Sequence, residues 1–175
     1  MPIGFLSSET VVTDLIQMIP DATLYHFGIL TSRMHNAWMR VVAGRLEMRY
    51  RYSKDIVYNN FPWPEEQMEN GKCKMEKAGE PQGVGSILHS SFSIFHSRIA
   101  AAAQAILDSR AAHPNATLAD LYDPLTMPPD LVKAHAHLDA LVDKAYGLSP
   151  SCTDADCVAH LFKLYAEKAE RQRNQ

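Results

Sequence analysis

Several features are scarce in this 175-residue chain, and each absence excludes a class of protein. The three cysteines, Cys73, Cys152 and Cys157, have no disulfide-framework spacing, so we expect a reduced, cytoplasmic protein. No apolar run approaches the roughly 18 residues that span a bilayer, and no basic segment precedes an apolar one at the start. We therefore expect no membrane partner and no secretory signal. Hydrophobic residues make up 46% and charged residues 21%, which excludes a disordered chain.

Catalytic motifs are also missing. No glycine-rich cofactor loop follows a strand, and no nucleophile stands in a readable set with a base. Cys152, Cys157 and His160 suggest a metal site at first, but their spacing is not a zinc pattern and no fourth ligand is evident. Residues 60–63 (NFPW) contain the residue types with which an adenine methyltransferase grips a flipped base, in the wrong order. The sequence therefore predicts no catalytic residue, metal or cofactor in this chain.

A basic segment stands out in an otherwise acidic chain. The net charge is −3, yet residues 33–54 carry +5 and the remainder −8. This asymmetry is typical of a local anion-binding surface, with nucleic acid as the commonest partner. Solvated or ion-paired arginines explain the charge equally well. The six basic residues of the segment are Arg33, Arg40, Arg45, Arg49, Arg51 and Lys54.

The hydrophobic pattern changes along the first 64 residues. Residues 3–18 are rich in β-branched side chains and predict two short strands. Apolar residues spaced three and four apart from residue 24 to residue 42 predict one helix. Asp21 or Thr23 would cap its start, and Gly44 would end it in the left-handed conformation. Strict alternation through residues 45–53 then predicts a single strand. Its charged face would be exposed, and its apolar face, with Leu46 and Met48, would pack on the helix.

The remainder predicts a loop followed by a helical bundle. Residues 65–97 show no sustained periodicity and are expected to form a long loop or insertion. A helical pattern runs to about residue 112, and a capping box at residues 117–120 opens a short second helix. A third helix is predicted over residues 129–147, and a fourth begins near Asp154. The predicted fold class is thus α+β and mostly helical. A long helix packed on a few strands precedes a small C-terminal bundle.

The alternating segment has the chemistry of base recognition. Arginine offers two parallel donors to guanine, and a carboxylate such as Glu47 accepts from the cytosine amino group. A cross-strand Glu–Arg pair that stabilises a sheet surface is the other explanation. The residues alone do not favour one over the other.

Four stretches resemble a known family, the MmeI-like restriction–modification enzymes. They are residues 24–35 (LYHFGILTSRMH), 51–64 (RYSKDIVYNNFPWP), 118–123 (LADLYD) and 127–131 (MPPDL). These enzymes combine a nuclease, an adenine methyltransferase and a target recognition domain in one chain. The resemblance implies a C-terminal fragment, with the end of a target recognition domain at 1–64, an insertion at 65–97 and the C-terminal helical domain at 98–175.

The resemblance also implies a partner and site residues. Double-stranded DNA would be the partner, with Glu47, Arg49 and Arg51 contacting bases. We expect Arg33, Arg40, Arg45 and Lys54 to contact phosphates. S-adenosylmethionine and a divalent metal would belong to methyltransferase and nuclease domains absent from this chain, which a separate chain could supply. In the rival hypothesis, the helices after Arg98 dock on such a subunit and the basic segment is only a solvated surface.

Overall fold

The computed structural model describes residues 3–13, 16–64 and 84–174, and its secondary structure is mostly helical. The predicted α+β class is confirmed, because a single two-stranded sheet accompanies the helices of the described residues. No helix in these ranges has the length and apolarity needed to cross a membrane. The elements are α1 (Leu24–Thr31), α2 (Arg33–Val42), β1 (Gly44–Leu46), β2 (Arg49–Arg51), a π-helical turn (Lys54–Tyr58), α3 (Val84–Ala111), α4 (Leu118–Leu121), α5 (Pro129–Ala145) and α6 (Asp154–Arg173).

Two helices replace the single helix predicted over residues 24–42. Ser32 lies between them with extended backbone, and its hydroxyl donates to the Ile29 carbonyl at 2.6 Å. Serine side chains compete in this way for backbone hydrogen bonds, which is why the helix breaks there. The Asn36 amide donates to the carbonyls of Thr31 and Ser32 at 3.1 and 2.8 Å, and so satisfies acceptors that the break releases. The apolar spacing continues across the break, so periodicity alone does not reveal it.

A hairpin replaces the single strand predicted over residues 45–53. β1 and β2 pair antiparallel, with Leu46 opposite Arg49, and the turn between them holds only Glu47 and Met48. The expected packing of the apolar face is also wrong, since Leu46 is 68% and Met48 90% exposed. Gly44 does not end α2 in a left-handed conformation, because α2 ends at Val42 and Gly44 begins β1.

The N-terminal segment contains no strand within residues 3–13 and 16–18, so the two strands predicted there are wrong. It lies against the helices instead. The ring of Phe5 is 5.5 Å from that of Phe27, and the Ile3 carbonyl accepts a hydrogen bond from Arg110 at 2.7 Å. The backbone of this segment is thus held by side chains of the helical core rather than by a sheet.

α3 begins earlier than the sequence indicates. The loop predicted over residues 65–97 is wrong for residues 84–97, which are helical. The rest of that prediction, residues 65–83, lies outside the described residues. α3 packs against α1 and α5, with Ile99, Ala103 and Ile106 fully buried on its inner face. The start of α5 at Pro129 and that of α6 at Asp154 are confirmed. Local signals set these ends, namely a proline in the first turn and a capping box.

One continuous core joins the segment before residue 65 to the helices after it. Trp38 on α2 packs against Phe162 of α6, with ring centroids 5.2 Å apart. Phe61 is fully buried. The backbone carbonyl of the following residue, Pro62, accepts a hydrogen bond from the Tyr146 hydroxyl at 2.8 Å. The two predicted domains therefore share a core.

Gly28 lies where α1 closely approaches α3, and it supports a stability prediction. A Cβ at this position would lie 2.8 Å from Cγ2 of the buried Ile99 and 3.4 Å from the Ile99 carbonyl oxygen. We expect Gly28→Val to lower the free energy of unfolding by about 1–3 kcal/mol, because the packed helices must separate. Urea denaturation measures the change. Gly44→Val is the matched control, since no atom of the described residues lies within 4 Å of its Cβ position. Equal losses in both variants would contradict the close approach.

Candidate nucleic-acid interface

The hairpin presents its two strand arginines to solvent. Arg49 and Arg51 are exposed, and neither guanidinium group has an ion-pair or hydrogen-bond partner within the described ranges. Alternate residues of a strand share a face, and residues opposite each other in a pair do the same. Arg49 and Arg51 therefore share one face of the hairpin with Leu46, which is opposite Arg49. Two guanidinium groups are thus available on a single exposed surface.

The other face of the hairpin carries an arginine that is already oriented. The Arg45 guanidinium lies 4.7 Å from the centre of the Tyr50 ring and donates to the Tyr50 hydroxyl at 3.2 Å. These residues are directly opposite each other in the strand pair. The contact holds the Arg45 side chain against the hairpin while leaving it exposed.

Glu47 occupies the turn with an unusual backbone. Its φ is +55°, in the left-handed region that non-glycine residues adopt only at a cost. Its carboxylate is exposed, and no arginine of the described residues pairs with it. The cross-strand Glu–Arg pair considered from the sequence is therefore wrong. A glutamate held at a strained turn, without a side-chain partner among the described residues, is a candidate for contacts outside the chain.

His35 and Tyr52, which the sequence analysis did not single out, anchor the hairpin. The Tyr52 hydroxyl, directly after β2, lies 3.2 Å from Nε2 of the fully buried His35. Nδ1 of His35 lies 3.1 Å from the Leu30 carbonyl, so Nδ1 carries the proton and Nε2 accepts from Tyr52. Burial lowers the pKa of His35 to about 4 and raises that of Tyr52, so both groups are neutral at physiological pH. The hairpin is thereby fixed to the start of α2.

Arg33 faces the protein instead of the solvent. Its guanidinium pairs with Asp143 of α5 at 2.7 Å and donates to the Cys152 carbonyl at 2.6 Å. The Asp143 side chain is only 2% exposed. The backbone N–H of Arg33 also donates to Asp139 at 2.7 Å, and burial raises the pKa of Asp139 to about 6. We therefore remove Arg33 from the predicted phosphate contacts, because internal acceptors already hold both terminal nitrogens of its guanidinium.

The other predicted phosphate contacts remain at the surface. Arg40 pairs with Asp154 at 2.8 Å, but both side chains are about half exposed, at 51% and 50%. An ion pair this exposed is weak and exchanges readily for another anion. Lys54 is exposed at the start of the π-helical turn. The structure thus groups the hairpin residues closely, while Arg40 lies on α2, the helix that precedes the hairpin.

Comparison with known proteins shows that the two halves of the chain match two domain models of one family. Residues 1–65 match the family model "MmeI, target recognition domain", and residues 95–171 match "MmeI, C-terminal domain". The chain belongs to the MmeI family. The hairpin lies within the match to the MmeI target recognition domain, and Asp143 lies within the match to the MmeI C-terminal domain. The predicted borders at residues 64 and 97 stay predictions, with residues 66–94 between the two matches.

A curated relative and a solved structure agree with this assignment. DNA methyltransferase A of Bacillus subtilis (strain 168) is 39% identical over 171 residues, which are 98% of this chain and 16% of that protein. The type IIL restriction–modification enzyme MmeI, solved in complex with DNA, is 41% identical with a TM-score of 0.68. That match covers 87% of this chain and 17% of the MmeI chain. This chain thus spans about one sixth of the length of each of these two proteins.

Proposed function

We propose that this chain binds double-stranded DNA through the hairpin and discriminates among base sequences there. Glu47, Arg49 and Arg51 would contact base edges, while Arg40, Arg45 and Lys54 would contact phosphates. The observation that carries the proposal is the pair of guanidinium groups of Arg49 and Arg51, which lie on an exposed hairpin without a partner among the described residues. That hairpin lies in the segment that matches a target recognition domain.

The shape and chemistry of the hairpin suit the major groove. The groove of B-form DNA is about 12 Å wide and admits a two-stranded ribbon. Arginine makes two hydrogen bonds to guanine, a carboxylate accepts from cytosine, and apolar groups contact the thymine methyl. The hairpin carries all three types of side chain, since the exposed Leu46 and Met48 accompany its arginines and Glu47. This composition favours sequence discrimination over contact with phosphates alone.

Methylation and DNA cleavage would come from another portion of such an enzyme. The described residues do not fit S-adenosylmethionine, because their strands are the two three-residue strands of an exposed hairpin. They also do not fit the oxygen-rich site that magnesium prefers, since the cluster found, around Asp143, has two thiols. We propose that a methyltransferase–nuclease portion works with this chain, in the same polypeptide or as a separate one. The relatives, about six times longer, support this arrangement.

Salt-dependent binding tests the proposal. We expect a fluorescein-labelled duplex with a randomised centre to bind at micromolar or lower concentration, with affinity that falls steeply as salt rises. Arg40→Ala should reduce the slope of log affinity against log salt by about one, because one phosphate contact is lost. Fluorescence anisotropy at several salt concentrations measures both. Lys133→Ala, an exposed lysine of α5 outside the basic segment, is the control and should leave the slope unchanged.

Two results would contradict the proposal. The first is an absence of duplex binding together with co-purification of a methyltransferase, which would favour the rival hypothesis of a docking module. The second is binding without salt dependence, which would exclude the basic segment as the contact surface.

A further inference from the structure

We propose that Cys152 and Cys157 are a disulfide-forming site, oxidised by a low-molecular-weight disulfide such as oxidised glutathione. Their sulfur atoms are 3.4 Å apart at the start of α6, and both thiols are free in the structure. A disulfide requires sulfur atoms that can approach to roughly 2.05 Å, and these two are already in contact. This site is independent of the proposed interaction with DNA.

The helix start brings the two thiols together. Thr153 is the N-cap of α6, and its backbone N–H donates to Asp156 at 2.8 Å while the Asp156 N–H donates to the Thr153 hydroxyl at 3.2 Å. Cys152 and Cys157 therefore occupy the positions just before the cap and four residues into the helix. In many helices these two positions hold an apolar pair in contact. Here the same backbone geometry holds two sulfur atoms in contact.

The surroundings give the two thiols different roles. Cys152 is partly exposed, and Nη2 of Arg33 lies 3.1 Å from its sulfur. Its exposed surface lets a dissolved disulfide reach the sulfur atom. Cys157 is fully buried, and burial raises the pKa of its thiol to about 12. Cys152 is thus the first nucleophile, and Cys157 completes the reaction.

The reaction balances in two exchange steps. The Cys152 thiolate attacks oxidised glutathione, forms a mixed disulfide and releases one glutathione thiolate. The Cys157 sulfur then attacks the Cys152 sulfur, breaks the mixed bond and releases the second glutathione, which takes the Cys157 proton. The two cysteines lose two electrons in total, and the glutathione disulfide gains them.

A metal is the other occupant that the cluster suggests. A carboxylate oxygen of Asp143 and the two sulfurs all lie within 4.8 Å of one another, and Oδ1 of Asp143 is buried without a hydrogen-bond partner among the described residues. Arg33 argues against a cation there, because its guanidinium contacts both the Asp143 carboxylate and the Cys152 sulfur. That position already holds a positive charge, so the geometry favours oxidation over metal binding.

Mass spectrometry tests the proposal on the full chain carrying Cys73→Ser, which leaves only these two thiols. After treatment with oxidised glutathione, we expect the tryptic peptide 145–163, which holds both cysteines, to lose two hydrogens. Cys157→Ser should instead retain a stable glutathione adduct on Cys152. We also expect the oxidised chain to melt about 4–8 °C above the reduced one, since the bond closes a short loop between residues whose sulfur atoms already touch.

Several outcomes would overturn the assignment. An unchanged peptide mass, a stable adduct on the chain with both thiols, or disulfide-linked dimers would each show that the two sulfurs do not react with each other. An unchanged or lower melting temperature would show that the bond does not fit the folded geometry. Equilibrium dialysis against zinc alone should detect no binding. One zinc per chain, lost in Cys157→Ser, would assign the cluster to a metal instead.

Discussion

Arg33→Ala should lower the free energy of unfolding by about 3–5 kcal/mol, the expected cost of removing one partner of a buried ion pair. The variant leaves the Asp143 carboxylate, which is 2% exposed, without its countercharge, and removes the donor to the Cys152 carbonyl. Burial already raises the pKa of Asp143, and the loss of Arg33 would raise it further. The destabilisation should therefore be largest near neutral pH and smaller in acid, where the protonated carboxyl needs no countercharge.

Urea denaturation followed by tryptophan fluorescence measures this effect, because Trp38 is buried in the shared core. Arg40→Ala is the matched control. Its pair with Asp154 is about half exposed on both sides, so the expected loss is about 0–1 kcal/mol. The double variant Arg33→Met/Asp143→Leu should recover most of the stability, since it leaves no unpaired buried charge. Similar losses for Arg33→Ala and Arg40→Ala would show that Arg33 is a surface residue after all.

This ion pair explains why charge counting alone does not identify an interface. Arg33 and Arg49 contribute equally to the basic segment, yet Arg33 is paired inside the protein, while Arg49 is exposed and has no side-chain partner in the part of the chain that the structure describes. The partner of Arg33 lies 110 residues away in sequence. No local pattern around Arg33 predicts that pairing, because it depends on how α2 packs against the C-terminal helices.

Local signals predicted the C-terminal helices well. Thr117 and Asp120 form the capping box that the sequence indicates, and Gly147 follows α5 with a φ of +71°. Each of these features acts within a few residues, so it can be recognised without knowledge of the tertiary structure. The α+β class and the mostly helical content followed from the same kind of signal.

The hairpin shows where such signals fail. Two-residue hairpin turns usually carry glycine or asparagine, which tolerate positive φ, whereas this turn holds Glu47 and Met48. A two-residue turn also leaves the alternation of charged and apolar residues unbroken, so the segment resembles one longer strand. The hydrogen bond between Tyr52 and His35 was missed for a related reason, since it joins the end of β2 to a helix 17 residues earlier. The exposure of Arg49 and Arg51 followed from the pattern, but their contacts with bases stay a prediction.

The double variant Arg49→Ala/Arg51→Ala should bind its preferred duplex about 30-fold more weakly or worse. Loss of a bidentate contact between arginine and guanine costs about 1–3 kcal/mol, so two such losses cost about 2–6 kcal/mol when they add. The fold should remain intact, with the free energy of unfolding within about 0.5 kcal/mol of the parent, because neither side chain has a partner in the described parts of the chain. A loss of affinity can then be attributed to the DNA contact itself.

Selection from the randomised duplex distinguishes base contacts from phosphate contacts. Arg49→Ala alone should relax the preference at one base pair and leave the others unchanged, because a base contact is local. Arg40→Ala is the control, since loss of a phosphate contact weakens binding to all sequences by a similar factor. If Arg49→Ala behaved like Arg40→Ala, with uniform weakening and a shallower salt slope, Arg49 would be a phosphate contact. Sequence discrimination would then have to come from Glu47 and Arg51, or from side chains outside the hairpin.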